Sequence, residues 1–383
     1  MKYLDVNGHL HTPYSFCSFE SIEQAVKMAK EENIAAIGIN DFFTTDGYEE
    51  WDQLCKANGI TPMFNFEFIG VSVEEQANNI RINDPGNPGR IYMSGKGLAH
   101  PFKLDEPYAS QFAKVKADAN VGAEAMCDKL NAHLASVGAG FELSFSHILE
   151  NMTKGMVRER HIAKALREKI FEIENSEDAR KALLEKVYNG KKVGVAMDNA
   201  AALENEIRGV LLKAGGAAFI PEDPESFLPM EAVRDIILNG KGMPTYPILG
   251  NALNGGFTEY EGDKDALLKT LIAKRFYAVE FITTRNSTAM LEEYAQFFVD
   301  NGFVVTFGTE HNTPSLEPIT LYTSDDKELS ATLKRINYEG ACITVAHQAL
   351  VAEGKQGWLD AEGKPDVTKY DEFVAKGNAI ITA

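Results

Sequence analysis

Cysteine is scarce: Cys17, Cys55, Cys127 and Cys342 are the four in 383 residues, and no two stand in a CxxC. A disulfide framework or a cysteine-built zinc site is therefore not expected, and a reducing cytoplasm is the expected setting. Positive charge is also short. The 38 lysines and arginines face 56 acidic residues, a formal net charge of −18. Broad contact with a nucleic-acid backbone or an anionic membrane needs a positive field, so extended nucleic acid is not an expected partner. A local basic pocket for a small anion stays open. No apolar run reaches the ~18 residues of a membrane span, and the opening MKYLDVNGHLH has neither a basic n-region nor an apolar h-region, so no secretory signal is expected. The 44% hydrophobic and 25% charged fractions are those of a folded protein rather than a disordered or fibrous one. The length suits one large α/β barrel or two ordinary domains.

The first seventy residues alternate strand and helix patterns. Tyr3–Val6, Ala35–Ile39 and Met63–Phe68 read as strands, and helices are expected after Ser21 and over Tyr48–Ala57. Such alternation means a parallel sheet or barrel, with function collected where strands end and loops begin. Gly86–Gly97 reads as a Gly/Pro-rich turn beside a strand. From Pro107 to about Gly215 the patterns are helical apart from a β-like Phe141–Phe145. The alternation returns with strands at Thr245–Ile248, Ala278–Ile282 and Phe303–Phe307. A strand at Ile319–Tyr322, a helix over Asp326–Glu339, a segment Ile343–Val351 and a polar tail follow.

The strongest chemical signal is His9-Leu10-His11 after the first strand. Imidazoles at i and i+2 of an extended segment point the same way, which suits joint ligation of Zn, Mn or Fe. Glu67 sits inside the apolar run Met63–Phe68, where a charge is costly unless paired or bound to a cation. Asp41, His100, Glu310 and His311 follow other strands or turns. Phe64, Phe66 and Phe68 read as one packed face of a strand, and Gly95-Lys96-Gly97 lacks the spacing of a phosphate-binding loop. Cys17 lies within reach of the HxH but has no assigned base, and Asn254-Gly255-Gly256 reads as a turn.

Taken in order, NGHLHTPYSF, AAIGINDFFTTDGYEEW, the FNFEF glutamate, RERHIAKAL, GGAAFIPE, FLPMEAVRDII, YPILGNA, AVEF and FGTEHNTP resemble the PHP (polymerase and histidinol phosphatase) superfamily over about residues 2–315. The nearest likeness is to its insert-containing branch of metal-dependent phosphoesterases. The resemblance implies a distorted seven-stranded (β/α) barrel with a helical insertion and a metal site on its C-terminal rim. On that basis 1–105 and 221–320 form the barrel and 106–220 a mostly helical insertion. Residues 321–383 form an α/β extension packed on the barrel.

The resemblance maps one metal onto His9, His11, Glu67 and Glu310, with Glu310 where the family has aspartate. Ligands of two further metals are replaced: Tyr92, Tyr246, Phe42, Phe16 or Cys17, and Asn312 stand at those positions. His100 and His311 are neighbours that could compensate, His100 as a metal ligand. Asp41 and His311 are candidates to position or deprotonate a water. Arg158, Arg160 and His161 at the head of an insertion helix, with Arg285 near the rim, are candidates to grip a small anionic substrate, and Lys96 is a weaker one. The expected function is a phosphoesterase-type hydrolase of a nucleotide or sugar phosphate, using one divalent ion. The alternative is a binding or scaffolding module with one metal or none.

Overall fold

The protein is described here from a computed structural model covering residues 1–16, 18–221, 227–250 and 256–383. Cys17, Asn254, Gly255, Glu222 of GGAAFIPE and Asn251 of YPILGNA lie outside the described residues. The first part runs β1 (Val6–Leu10), α1 (Ile22–Glu31), β2 (Ala36–Phe42), α2 (Tyr48–Ala57), β3 (Thr61–Val71), a short α3 (Val73–Ala77) and β4 (Arg90–Lys96). The side chain of Ser21 accepts from the Gln24 N–H and so starts α1. β1 begins at Val6 rather than Tyr3, so His9 ends up inside the strand. The stretch expected as a turn up to Gly97 is strand from Arg90 onward.

The insertion follows as α4 (Tyr108–Ser136), α5 (Phe145–His147) continued by a π-helical turn over Ile148–Met152, α6 (Glu159–Ile173), α7 (Glu177–Val187) and α8 (Ala200–Ile207). These helices bury a core of their own around Leu130, Leu134, Ile162, Leu166, Leu203 and Ile207. The β-like Phe141–Phe145 run forms no strand. Its Leu143 N–H and C=O pair with the side chain of Asn131 at 2.8 Å each, so the backbone is satisfied without a ladder.

The framework resumes with β5 (Leu228–Pro229), α9 (Met230–Asn239), β6 (Met243–Ile248), α10 (Lys264–Ala273), β7 (Ala278–Ile282), α11 (Thr288–Asp300) and β8 (Val304–Gly308). Among the described residues seven strands form the wall in the order β1-β2-β3-β4-β6-β7-β8, and β5 pairs with the end of β3. All neighbours in the wall are parallel except at β4, which runs antiparallel to both β3 and β6. The expected distorted seven-stranded barrel is what the chain forms. It closes between β1 and β8 at the rim. Glu310 N–H donates to His9 C=O at 3.0 Å and His11 N–H to Glu310 C=O at 3.3 Å. A Cβ on Gly308 would lie 2.2 Å from the Cβ of His9, so only glycine lets β8 approach the histidine strand this closely.

The other end of the seam is closed by a helix. α12 (Ala331–Ala352) lies across the base of the barrel. Its Asn337 accepts from the Phe307 N–H at 2.8 Å and donates to Val6 C=O at 2.9 Å, joining β8 to β1. Gln348 does the same on β3, through Phe64 N–H and Pro62 C=O. The sequence reading divided this segment at Gly340. Instead one helix runs through, and Gly340 lets it lie against the Val305 carbonyl, 1.9 Å from where a Cβ would stand. The expected Ile319–Tyr322 strand is only an isolated bridge, Tyr322 to Glu328. The tail forms α13 (Tyr370–Ile381), whose Phe373, Val374 and Ile381 bury against α12. The extension is thus helical rather than α/β. No helix among the described residues is long and apolar enough to cross a membrane.

His347 of α12 is buried, donating from Nε2 to Lys241 C=O at 2.6 Å and accepting at Nδ1 from Trp358 N–H at 2.8 Å. Both bonds require the neutral ring, and burial lowers its pKa to about 4. The unfolded pKa is about 6.5, so this stabilisation is complete above that pH and is lost as pH falls from there through the folded value. His347→Gln can donate and accept but not titrate. In urea titrations the wild type should lose about 2–3 kcal/mol relative to this variant between pH 7 and 4.5.

Candidate metal site at the barrel rim

Alternation along the strands decides which side chains enter the barrel. At the end of β1 Leu10 faces the helix layer, while His9 and, just past the strand, His11 turn inward. In β3 Phe64, Phe66 and Phe68 join the apolar layer, Phe66 and Phe68 against Phe112, and Glu67 points the other way. Three atoms converge there. His9 Nε2 and His11 Nε2 are 3.4 Å apart and lie 3.6 and 3.4 Å from Glu67 Oε2. Bonds of ~2.0–2.2 Å to one tetrahedral ion would hold ligand atoms ~3.3–3.6 Å apart. Glu67 Oε2 is buried and has no hydrogen-bond donor. Among the described residues no other group of three or more His, Cys, Asp or Glu side chains brings its ligand atoms within 4.8 Å of one another. The donor set and the orphaned oxygen fit a divalent ion.

A second polar layer lies behind His9, and sequence reasoning missed most of it. Glu280 of β7 accepts from His9 Nδ1 at 3.0 Å and pairs with Lys96 Nζ of β4 at 2.7 Å; Ser94 donates to its other oxygen. Lys96 also donates to Gly8 C=O at 3.0 Å and Asn40 Oδ1 at 3.2 Å. Glu280 had a signal: it is the one charge in the apolar run AVEFI, as Glu67 is in its own. Lys96, expected as a weak anion grip in a turn, is instead inside the barrel as the partner of Glu280, where antiparallel β4 places it. Two buried carboxylates thus face one ammonium. Burial alone would lower the pKa of His9, but Glu280 and Glu67 outweigh burial and raise it to about 9. Burial opposes the charge on Glu67, yet the two histidines beside it hold it below the usual carboxylate range. The group is short of one positive charge, which a proton or a cation supplies.

The cluster is roofed. Phe42 stacks on His11 at 5.3 Å between centroids and 10° between planes, and Phe16 packs on the same ring at 4.5 Å. The guanidinium of Arg158 lies 4.2 Å from the Phe42 centroid and 5.1 Å from that of Phe16. It makes no ion pair with a carboxylate among the described residues. Arg160 bonds Asn205 at 2.9 Å and reaches Asn312 beyond β8 at 3.5 Å, tying the insertion to the rim. His161 is buried. Its Nδ1 accepts from the Arg158 N–H at 3.0 Å, and burial, then the neighbouring Arg158, lowers its pKa to about 3. It serves as a helix cap rather than a substrate ligand.

Other expected residues are engaged elsewhere. Glu310 does not join the three ligand atoms. Its carboxylate pairs with Arg285 and accepts from Asn312 at 3.0 Å, so Arg285 is not a free anion clamp either. His100 is at the opposite end, because the C-terminal end of antiparallel β4 points away from the rim; it packs on Phe64 and pairs with Glu49. Asp41 accepts from Thr12 N–H at 2.7 Å and from the Thr12 and Ser15 hydroxyls, which leaves it holding the turn after the HxH rather than a water. His311 accepts from Thr309 at Nδ1 and donates to Glu317 C=O from Nε2, so both nitrogens are used. Tyr246 donates to Glu261 at 2.8 Å in the apolar layer. Tyr92 packs near Phe42 at the rim.

The fold and site together define a (β/α) barrel with a histidine–histidine–glutamate group at the C-terminal ends of its strands. The PHP domain model matches residues 7–142 of the chain. Two solved structures share the fold. One is from Bifidobacterium adolescentis, provisionally named a metal-dependent phosphoesterase, at 15% identity and TM-score 0.54, covering 88% of this chain and 96% of the other. The second is an amidohydrolase from Chromobacterium violaceum with bound sulfate and no metal, at 14% identity and TM-score 0.52, covering 85% of this chain and 94% of that one. No curated protein sequence matches the chain.

Removing Asp41 strands three donors next to His11. Asp41→Ala should cost about 3 kcal/mol in urea unfolding. Thr12→Val, which removes one of the three, should cost about 1 kcal/mol.

Proposed function

We propose that the chain is a PHP-type metal-dependent hydrolase of a small anionic substrate in a reducing cytoplasm, with a phosphoester of a nucleotide or sugar as the favoured class. The observation that carries this reading is the convergence of His9 Nε2, His11 Nε2 and the unpartnered Glu67 Oε2. A divalent ion there, Mn, Zn or Fe, supplies Lewis acidity and a water of lowered pKa. The residues present do the rest. His9 keeps a proton on Nδ1 against Glu280 and so offers the lone pair of Nε2. Arg158, held over Phe42 and Phe16, faces the rim with a fork suited to an oxyanion. The two phenylalanines keep bulk water from the ligands, which strengthens every charge interaction inside. The similar proteins named a phosphoesterase and a sulfate-bound amidohydrolase support this class. The three described cysteines are buried free thiols, in keeping with a reducing setting.

One observation favours a second reading, a metal-binding module without hydrolysis: His9, His11 and Glu67 are no more than 4% exposed beneath their aromatic roof.

Elemental analysis of the purified chain should find about one divalent ion per chain, lost in His9→Ala and in His11→Ala. A screen of nucleotides and sugar phosphates with Mn or Zn should then find turnover. On the best substrate Arg158→Ala should raise KM roughly ten- to a hundredfold, with metal content unchanged. Full metal loading with silence across the panel would favour the module.

A further inference from the structure

We propose that Glu280, held and neutralised by Lys96, is the positioning residue that commits His9 to ligate a metal through Nε2; this rests on the metal-site reading above. His9 lies on a short strand with both ring nitrogens inside the barrel, so either could in principle face an ion. The carboxylate of Glu280, 3.0 Å from Nδ1, accepts and cannot donate, which puts the ring proton on Nδ1. Nε2 then carries the ring's lone pair, and it is the atom facing His11 Nε2 and Glu67 Oε2. Asn40 Nδ2 is 3.1 Å from both nitrogens and cannot by itself choose between them. The charged acceptor does.

Glu280 is in turn immobilised. Ser94 donates to one oxygen and Lys96 to the other. The ammonium of Lys96 has three N–H groups and three acceptors around it: Glu280, Asn40 Oδ1 and the carbonyl of Gly8. The last is the residue before His9, so Lys96 fixes both the backbone and the ring of the ligand. It also cancels the charge of Glu280, which leaves Glu67 as the one uncompensated carboxylate that the ion meets. A buried ion pair is weak support for stability in itself. Its contact with a ligand nitrogen gives this one a positioning role, of the kind whose loss usually costs ten- to a hundredfold in metal affinity.

The test uses the full chain loaded with zinc. With 15N-labelled histidine, two-bond 15N–1H spectra should show His9 protonated at Nδ1 and zinc-shifted at Nε2. By chelator competition Glu280→Gln, which keeps the volume and loses the charge, should bind one zinc about ten- to a hundredfold more weakly, with unchanged circular dichroism. A zinc-loaded wild type with His9 protonated at Nε2 overturns the proposal even if the variant fails to fold. So does a folded Glu280→Gln with affinity within twofold of wild type. A wild type that takes up no zinc overturns the metal-site reading and this proposal with it, whereas zinc uptake with either of the other two results overturns this proposal alone.

Discussion

Charge balance inside a closed wall of strands is the constraint on which the rest of this structure depends. Glu67 and Glu280 are buried carboxylates, and leaving either uncompensated would cost several kcal/mol, of order the stability of an ordinary domain. Lys96 answers one of them. The other is answered only by a cation among His9, His11 and Glu67, either a proton on His9 or a metal ion. The polar interior, the roof over it and the strand ends that deliver it are different views of this balance.

The balance is kept only if β1 is held in register. Its rim end is bonded directly to Glu310, in a stretch where Glu310 and His311 both take positive φ. Such backbone persists where surrounding contacts over-determine it. At the base no ladder joins β1 to β8, and the amide of Asn337 bridges them instead. The C-terminal helices are therefore part of the barrel rather than an appendage. The insertion, built on its own apolar core, supplies from one helix start the arginine that overlooks the site.

Much of the site was legible in local text. HxH after a strand, and a glutamate alone in an aromatic run, identify residues that the fold does bring together. Glu310, Asp41 and His311 were chosen by the same logic of strand ends, but position in the chain does not say which partner a side chain takes. Arg285, the Thr12–Ser15 turn and the Glu317 carbonyl claim them. His100 was misplaced for a topological reason, since one strand of the wall runs backwards and its last residues lead away from the rim.

Alternation, capping and apolar periodicity are local, so they determined most of the succession of strands and helices and the shared face of His9 and His11, while the barrel itself was expected from the order of the motifs that resemble a known family. Which polar groups meet inside was decided by tertiary structure. The reversal of β4 carries Lys96 within 2.7 Å of Glu280, 184 positions away, because pairing across a closed sheet depends on strand order and register. Neither is written in the neighbourhood of the residues that it joins.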